Sequence, residues 1–264
     1  YLDIDFNSNG AVNRPPSAPT IQSALNDALV NSEPTLRWSW NDPDGDIAVR
    51  PKVWIQIYKD VDNDGVFEPG GDDGSPVKDE VLDGFITSYS GYTLDSDYRY
   101  FWRVKTRDDF SWSDWSSVDS FRLDKNPPSP DPVTLINPPD GYLTHSSSLT
   151  FEWSDADDSY SGNQGYQVAI STDPTFPDSL TDIYNVSEDG DSDSNSSDDS
   201  SDSYTIPEGI LSEGTYYWRV RAYDKAGNFT SWSSYRKFTI CFTVIKITEV
   251  CFAASGGLDW VELY

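Results

Sequence analysis

The sequence predicts an all-β protein of two tandem β-sandwiches, with extra strand segments at both termini. Three observations carry that expectation. The first is an internal repeat: "FWRVKTRDDFSWSDWSSVDSFRL" at 101–123 recurs as "YWRVRAYDKAGNFTSWSSYRKFTI" at 217–240. Upstream, "TLRWSWND" (35–42) matches "LTFEWSDA" (149–156), and "RPPSAP" (14–19) matches "NPPSPDP" (126–132). Equivalent points are about 112–117 residues apart, the size of one sandwich. The second is short alternating runs separated by Gly, Pro, Asp and Ser clusters. The third is composition: aromatics are 14% of the chain, with 10 Trp, 16 Tyr and no Met, a usage that suits pleated, half-buried strands. At 264 residues each half is long enough to bury its own core without disulfides or metal.

Taken in order, residues 1–13 open with a strand segment in which Leu2, Ile4 and Phe6 alternate with Tyr1, Asp3 and Asp5. It has no evident partner. The first sandwich spans 14–124 and is entered through the stiff Pro15-Pro16. In its long strand Tyr100, Trp102, Val104 and Thr106 face the core, opposite Phe101, Arg103, Lys105 and Arg107. The second spans 125–240 and is entered through Pro127-Pro128. There Tyr216, Trp218, Val220 and Ala222 face inward, and Tyr217, Arg219, Arg221 and Tyr223 outward. Within it, the acidic Ser/Asp stretch 187–203 has nothing apolar to bury and reads as a solvated insertion between strands. Residues 241–264 form a strand-rich tail around Gly256-Gly257, too little to stand alone in water.

A net charge of −27 repels phosphate backbones and anionic headgroups, so nucleic-acid and membrane-surface roles are not expected. No stretch approaches the roughly 20 apolar residues of a membrane span. With no signal peptide and no initiator Met, the chain reads as a mature or excised segment. Cys241 and Cys251 either bridge or stay reduced; two cysteines do not decide it. Catalysis finds no support. The single histidine, His145, sits in the polar "LTHSSS", and there is no nucleophile elbow, zinc-type cluster or phosphate loop.

Two constellations have chemical content. Arg103 and Arg107 with Trp112 and Trp115, and Arg219 and Arg221 with Trp232, have the composition of a ladder of cations stacked on rings, each contact worth about 0.5–2 kcal/mol. In "DVDNDGVFEPGGDD", Asp60, Asp62 and Asp64 stand at alternate positions before the turn-forming Gly65. Val66 would add its carbonyl, and Glu68 and then Asp72 further carboxylates. Hard oxygens so spaced converge on one cation, and calcium is the expected structural ion; the competing reading is an acidic solvated turn. Gly71 stands where a bidentate Glu is usual. Asp155, Asp157 and Asp158 lack that spacing and read as turn formers. Asn185, Asn195 and Asn228 head N-x-[ST] sequons and are candidate glycosylation sites in an exported chain.

On these residues the chain resembles the fibronectin type III and immunoglobulin-like modules of secreted surface proteins, over about residues 14–240. The resemblance implies a tyrosine corner at Tyr216. "WSDWS" resembles the WSxWS pattern of cytokine-receptor modules, without that family's disulfide pairs. The acidic loop resembles those of extracellular calcium-binding repeats. The ending "VIKITEVCFAASGGLDWVELY" resembles the start of a lamin-tail domain, through Ile247, Glu249, Val250 and Asp259 to Tyr264. The expected function is therefore structural. One reading is an extracellular or cell-surface fibre subunit that self-associates head-to-tail by strand addition, using Leu2, Ile4, Phe6, Val244, Ile247, Val250, Trp260, Val261 and Leu263. The alternatives are a fragment of an adhesin or stalk, and a spacer or glycan-binding module of a secreted enzyme.

Overall fold

The computed structural model describes residues 10, 12–44, 50–187 and 201–242, and the backbone of 247–251 and 260–263. The chain divides into two compact units. One is Tyr1–Asn126 with Ser159–Gly162 and Asp224–Asn228; the other is Pro127–Asp158, Asn163–Tyr223 and Phe229–Tyr264. Among the described residues there is no α-helix, only strands and one 3₁₀ turn at Asp178–Leu180. Among these residues no helix is long and apolar enough to cross a membrane.

The first unit packs a three-stranded sheet on a five-stranded one. Its strands are β1 (Thr20–Ile21), β2 (Ala28–Val30), β3 (Leu36–Ser39), β4 (Lys52–Lys59), β5 (Lys78–Asp83), β6 (Ser88–Tyr89), β7 (Tyr98–Arg107) and β8 (Asp119–Leu123). The sheets run β1-β3-β6 and β2-β8-β7-β4-β5. All pairs are antiparallel except β2 with β8. Alternation places Trp38 of β3, Ile55 and Ile57 of β4, Tyr100, Trp102 and Val104 of β7 and Phe121 of β8 in one buried cluster. One outward position departs from the expected pattern. Phe101 is buried although its β7 neighbours on that face are cationic, because Phe67 lies over it at 5.6 Å between ring centroids.

The second unit repeats this plan strand for strand. It comprises β9 (Leu135–Asn137), β10 (Tyr142–Thr144), β11 (Leu149–Ser154), β12 (Asn163–Ser171), β13 (Thr181–Ser187), β14 (Ser201–Ile206), β15 (Gly214–Asp224) and β16 (Arg236–Ile240). The sheets run β14-β11-β9 and β10-β16-β15-β12-β13, and β10 again lies parallel to its neighbour β16. Trp153 and Trp218 take the places of Trp38 and Trp102, and all four are essentially inaccessible. Burying an aromatic of 150–250 Å² is worth about 4–6 kcal/mol, so these rings anchor their sandwiches. Both units carry the tyrosine-corner bond: Tyr216 Oη donates to Ser212 O at 3.1 Å and Tyr100 Oη to Asp95 O at 2.9 Å.

Ser187 and Ser201–Ser203, assigned by composition to the acidic insertion, belong to β13 and β14, with Ser201 opposite Ser154 and Ser203 opposite Glu152. An edge strand with a solvated face tolerates Ser and Asp at alternate positions, so composition overstated the insertion. Two further strands, β17 (Ile247–Cys251) and β18 (Trp260–Leu263), form an antiparallel hairpin sheet of their own. Neither joins another described strand. Leu2, Ile4, Phe6, Val244 and Asn195 lie outside the described residues.

Candidate metal loop and cation–aromatic faces

The acidic loop begins where β4 ends. Asp60 is fully buried; its Oδ2 accepts from Gly65 N at 3.1 Å and from Arg99 Nη1 at 3.3 Å, while its Oδ1 has no hydrogen-bond partner among the described residues. Asp60, Asp62 and Asp64 each bring one carboxylate oxygen within 4.8 Å of the others. Backbone turns hold them there: Asp64 Oδ1 accepts from Val66 N at 2.7 Å, and Gly65 adopts φ +79° beside the Arg99 guanidinium, where a side chain would not fit. Arg99 is itself clamped by Asp27, Nε to Oδ1 at 2.7 Å and Nη2 to Oδ2 at 3.1 Å. Of the gathered carboxylates Asp60 is the one this cation meets, and it shares Arg99 with Asp27.

The sequence placed Val66, Glu68 and Asp72 in the same set. The gathered group is narrower, since Glu68 and Asp72 stand outside it and both are exposed; Val66 contributes its N–H to the turn. The residue that spacing missed is Asp73, which is buried and accepts from Glu68 N at 2.7 Å. Loss of solvent raises its pKa above the usual aspartate range, and the charges of Asp60, Asp62 and Asp64 raise it further. Its proximity follows from the loop folding back on the sheet, with Phe67 seated on Tyr58 and Phe101. No local spacing rule carries that information.

The predicted ladders form on both units. In the first, Arg103 lies over Trp115 at 4.4 Å, Lys105 contacts Trp115 at 4.7 Å and Trp112 at 5.2 Å, and Arg107 reaches Trp112 at 6.0 Å. Trp54, which the sequence did not mark, meets both tryptophans edge-on. In the second, Phe176, Arg219, Trp232, Arg221 and Phe229 alternate ring and cation, with separations of 4.1–4.6 Å. Phe176 and Phe229 were not marked either; nothing in an isolated Phe announces a distant arginine.

The serines of the motif have a separate task. Past Trp102, β7 has no pairing with β8. There Ser113 and Ser116 donate their backbone N–H groups to the carbonyls of Thr106 and Val104, at 2.8 Å each, and their hydroxyls accept the N–H groups of Thr106 at 3.0 Å and Val104 at 3.1 Å. Thr230 and Ser233 do the same for Ala222 and Val220, at 3.0 Å each. The structural counterpart of Trp112–Ser116 is therefore Phe229–Ser233.

Other marked residues have ordinary partners. Asn185 is exposed on β13 and its Oδ1 accepts from Gln167 Nε2 at 3.0 Å. The Asn228 amide donates to Asp224 Oδ2 at 2.7 Å, so glycosylation there would break a local bond. Asp155 closes its turn through Ala156 N and Tyr166 Oη, and His145 Nδ1 lies 2.5 Å from Cys241 O.

These sandwiches have counterparts among known proteins. Residues 139–243 match an immunoglobulin-domain family. Its description is the Rha78A-like, N-terminal immunoglobulin domain, and the match covers less than half of the chain. Among solved structures, the chicken CNTN1 FN1–FN3 domains are 14% identical with a TM-score of 0.46, over 87% of this chain and 69% of that one. The fibronectin(III)-like modules of Clostridium thermocellum CbhA are 14% identical with a TM-score of 0.43, over 84% and 93%. No curated protein matches the chain.

Proposed function

We propose that this chain is a non-catalytic structural segment of an extracellular or cell-surface protein, which extends an assembly by adding its C-terminal strands to a neighbouring molecule. The observation that carries this reading is the β17–β18 hairpin, paired with no strand but itself among the described residues. Two strands are marginal in water, so such a hairpin gains most by joining further strands. The sandwiches offer unequal edges to receive it. Four of the six residues of β5 are charged (Lys78, Asp79, Glu80, Asp83), whereas β13 carries one charge, Asp182, in seven residues. Charged edges resist strand addition, which favours β13 as acceptor. Calcium at Asp60, Asp62 and Asp64 stiffens the first unit: the buried, unpartnered Asp60 Oδ1 is a hard oxygen suited to that ion.

The second reading is that β17 and β18 open a further sandwich of lamin-tail type, favoured by the antiparallel register of Val250 with Val261 and Cys251 with Trp260. Electron microscopy of the chain beside a version ending at Ile240, both with calcium, separates the two. Filaments from the full chain alone support strand donation. Unassembled monomers from both would assign the hairpin to a third sandwich.

A further inference from the structure

On the outer face of the second unit, two neighbouring arginines are provided for unequally. Arg221 directs Nε and Nη2 to Gln167 Oε1, at 2.9 and 2.7 Å. Arg219, two residues earlier on the same face of β15, has a buried Nε with no hydrogen-bond partner among the described residues. In the first unit Arg103 is satisfied by Gln56 Oε1 at 3.0 and 2.8 Å and by Tyr58 Oη at 3.2 Å. Arg219 has ring faces on two sides, Phe176 at 4.1 Å and Trp232 at 4.6 Å, which hold its plane without accepting its protons. Phe176 keeps that place in a left-handed backbone, φ +52°, unusual for a bulky side chain. Burial, and then the charge of Arg221, hold the Arg219 pKa below its usual value, so the guanidinium is short of negative charge around it.

Beside it opens a cleft of about 400 Å³, lined by Phe176, Asp178, Thr181, Ile183, Arg219 and Trp232 among others. Asp178 forms no ion pair with either arginine among the described residues. Nε itself is sealed from solvent, so an anion in the cleft meets the terminal Nη groups of the guanidinium, for which no acceptor is found among the described residues. A planar carboxylate matches the guanidinium fork through two parallel bonds. The volume is of the order that takes a small organic ligand, and Ile183 and Thr181 supply an apolar and a hydroxyl wall. A net charge of −27 disfavours long polyanions much more than a ligand with one charge.

We propose that this cleft is a binding site for a small sugar acid of hexuronate size, with Arg219 receiving its carboxylate and the walls holding its ring. The site lies wholly in the second unit and depends on neither the acidic loop nor the tail hairpin.

Titration calorimetry of the intact chain with glucuronate, glucose and acetate at low salt tests it. Glucuronate should bind saturably at millimolar concentrations, tighter than acetate, with glucose silent. Arg219→Gln should weaken glucuronate by about tenfold or more, the loss expected for a charged hydrogen bond. Lys237→Gln, the same charge change at an exposed position of β16, should leave it unchanged. Should Arg219→Gln fail to fold, Ile183→Glu decides: this residue is 51% exposed, so the change is tolerated, and it places a competing carboxylate in the cleft. Binding retained in both variants, no saturable heat from glucuronate, or acetate binding as tightly as glucuronate would each overturn the assignment.

Discussion

Glu33 shows how a single carboxylate ties the first unit to pH. Its Oε1 accepts from Leu94 N at 3.0 Å and from Lys125 Nζ at 3.1 Å. Burial pushes its pKa up, but these two partners outweigh it and the net shift is down. A carboxyl with a lowered folded-state pKa contributes stability that is present above the usual glutamate range and is lost as pH falls through the lowered value. Glu33→Gln should cost about 1–2 kcal/mol in urea unfolding at pH 7, and the difference from the parent should close as pH falls below the usual glutamate range. At the acidic loop, calcium is expected to raise the melting temperature, and Asp62→Ala/Asp64→Ala should abolish that rise and leave the calcium-free value little changed. An unchanged calcium response would remove the metal site. Asp60, Asp62 and Asp64 were legible in the sequence because alternate spacing is a local property. Asp73 was not, since its approach depends on Phe67 docking 34 residues before its partner Phe101 in the chain.

At the level of the strand, the hydroxyls of Ser113, Ser116, Thr230 and Ser233 stand in for a missing neighbour strand. Removing one leaves a buried N–H unmatched, so Ser233→Ala should cost about 1–3 kcal/mol. Ser234→Ala, at an exposed neighbour, should stay within about 0.5 kcal/mol, and chemical denaturation compares the two. Repetition made the long strands β7 and β15 and their inward tryptophans readable, because alternation and self-similarity reinforce each other. The three-residue strands β2 and β10 were not readable. "ALV" and "YLT" carry no periodic signal, and their pairing partners lie more than 90 residues downstream. The cation–ring order was legible where the motif supplied tryptophans and hidden where Trp54, Phe176 and Phe229 joined from elsewhere in the unit.

For the molecule as a whole, two cores built on the same plan account for the regularity of the repeat. The parallel pairing inside each plan has a mechanical consequence. β2 lies early in its unit and β8 at the end, joined through Ala28–Phe121, Leu29–Arg122 and Val30–Leu123; β10 and β16 are joined through Tyr142–Phe238, Leu143–Thr239 and Thr144–Ile240. Because the two strands of each pair point the same way, tension on the chain draws them past one another lengthwise. Every rung is then loaded at once, whereas antiparallel strands pulled from one end part rung by rung. Each unit should accordingly rupture in a single abrupt step when stretched in optical tweezers. Leu143→Pro, which removes a possible donor from one such pair, should lower the force of one of the two steps and spare the other. A chain clasped in this way resists pulling far better than its short clasping strands suggest.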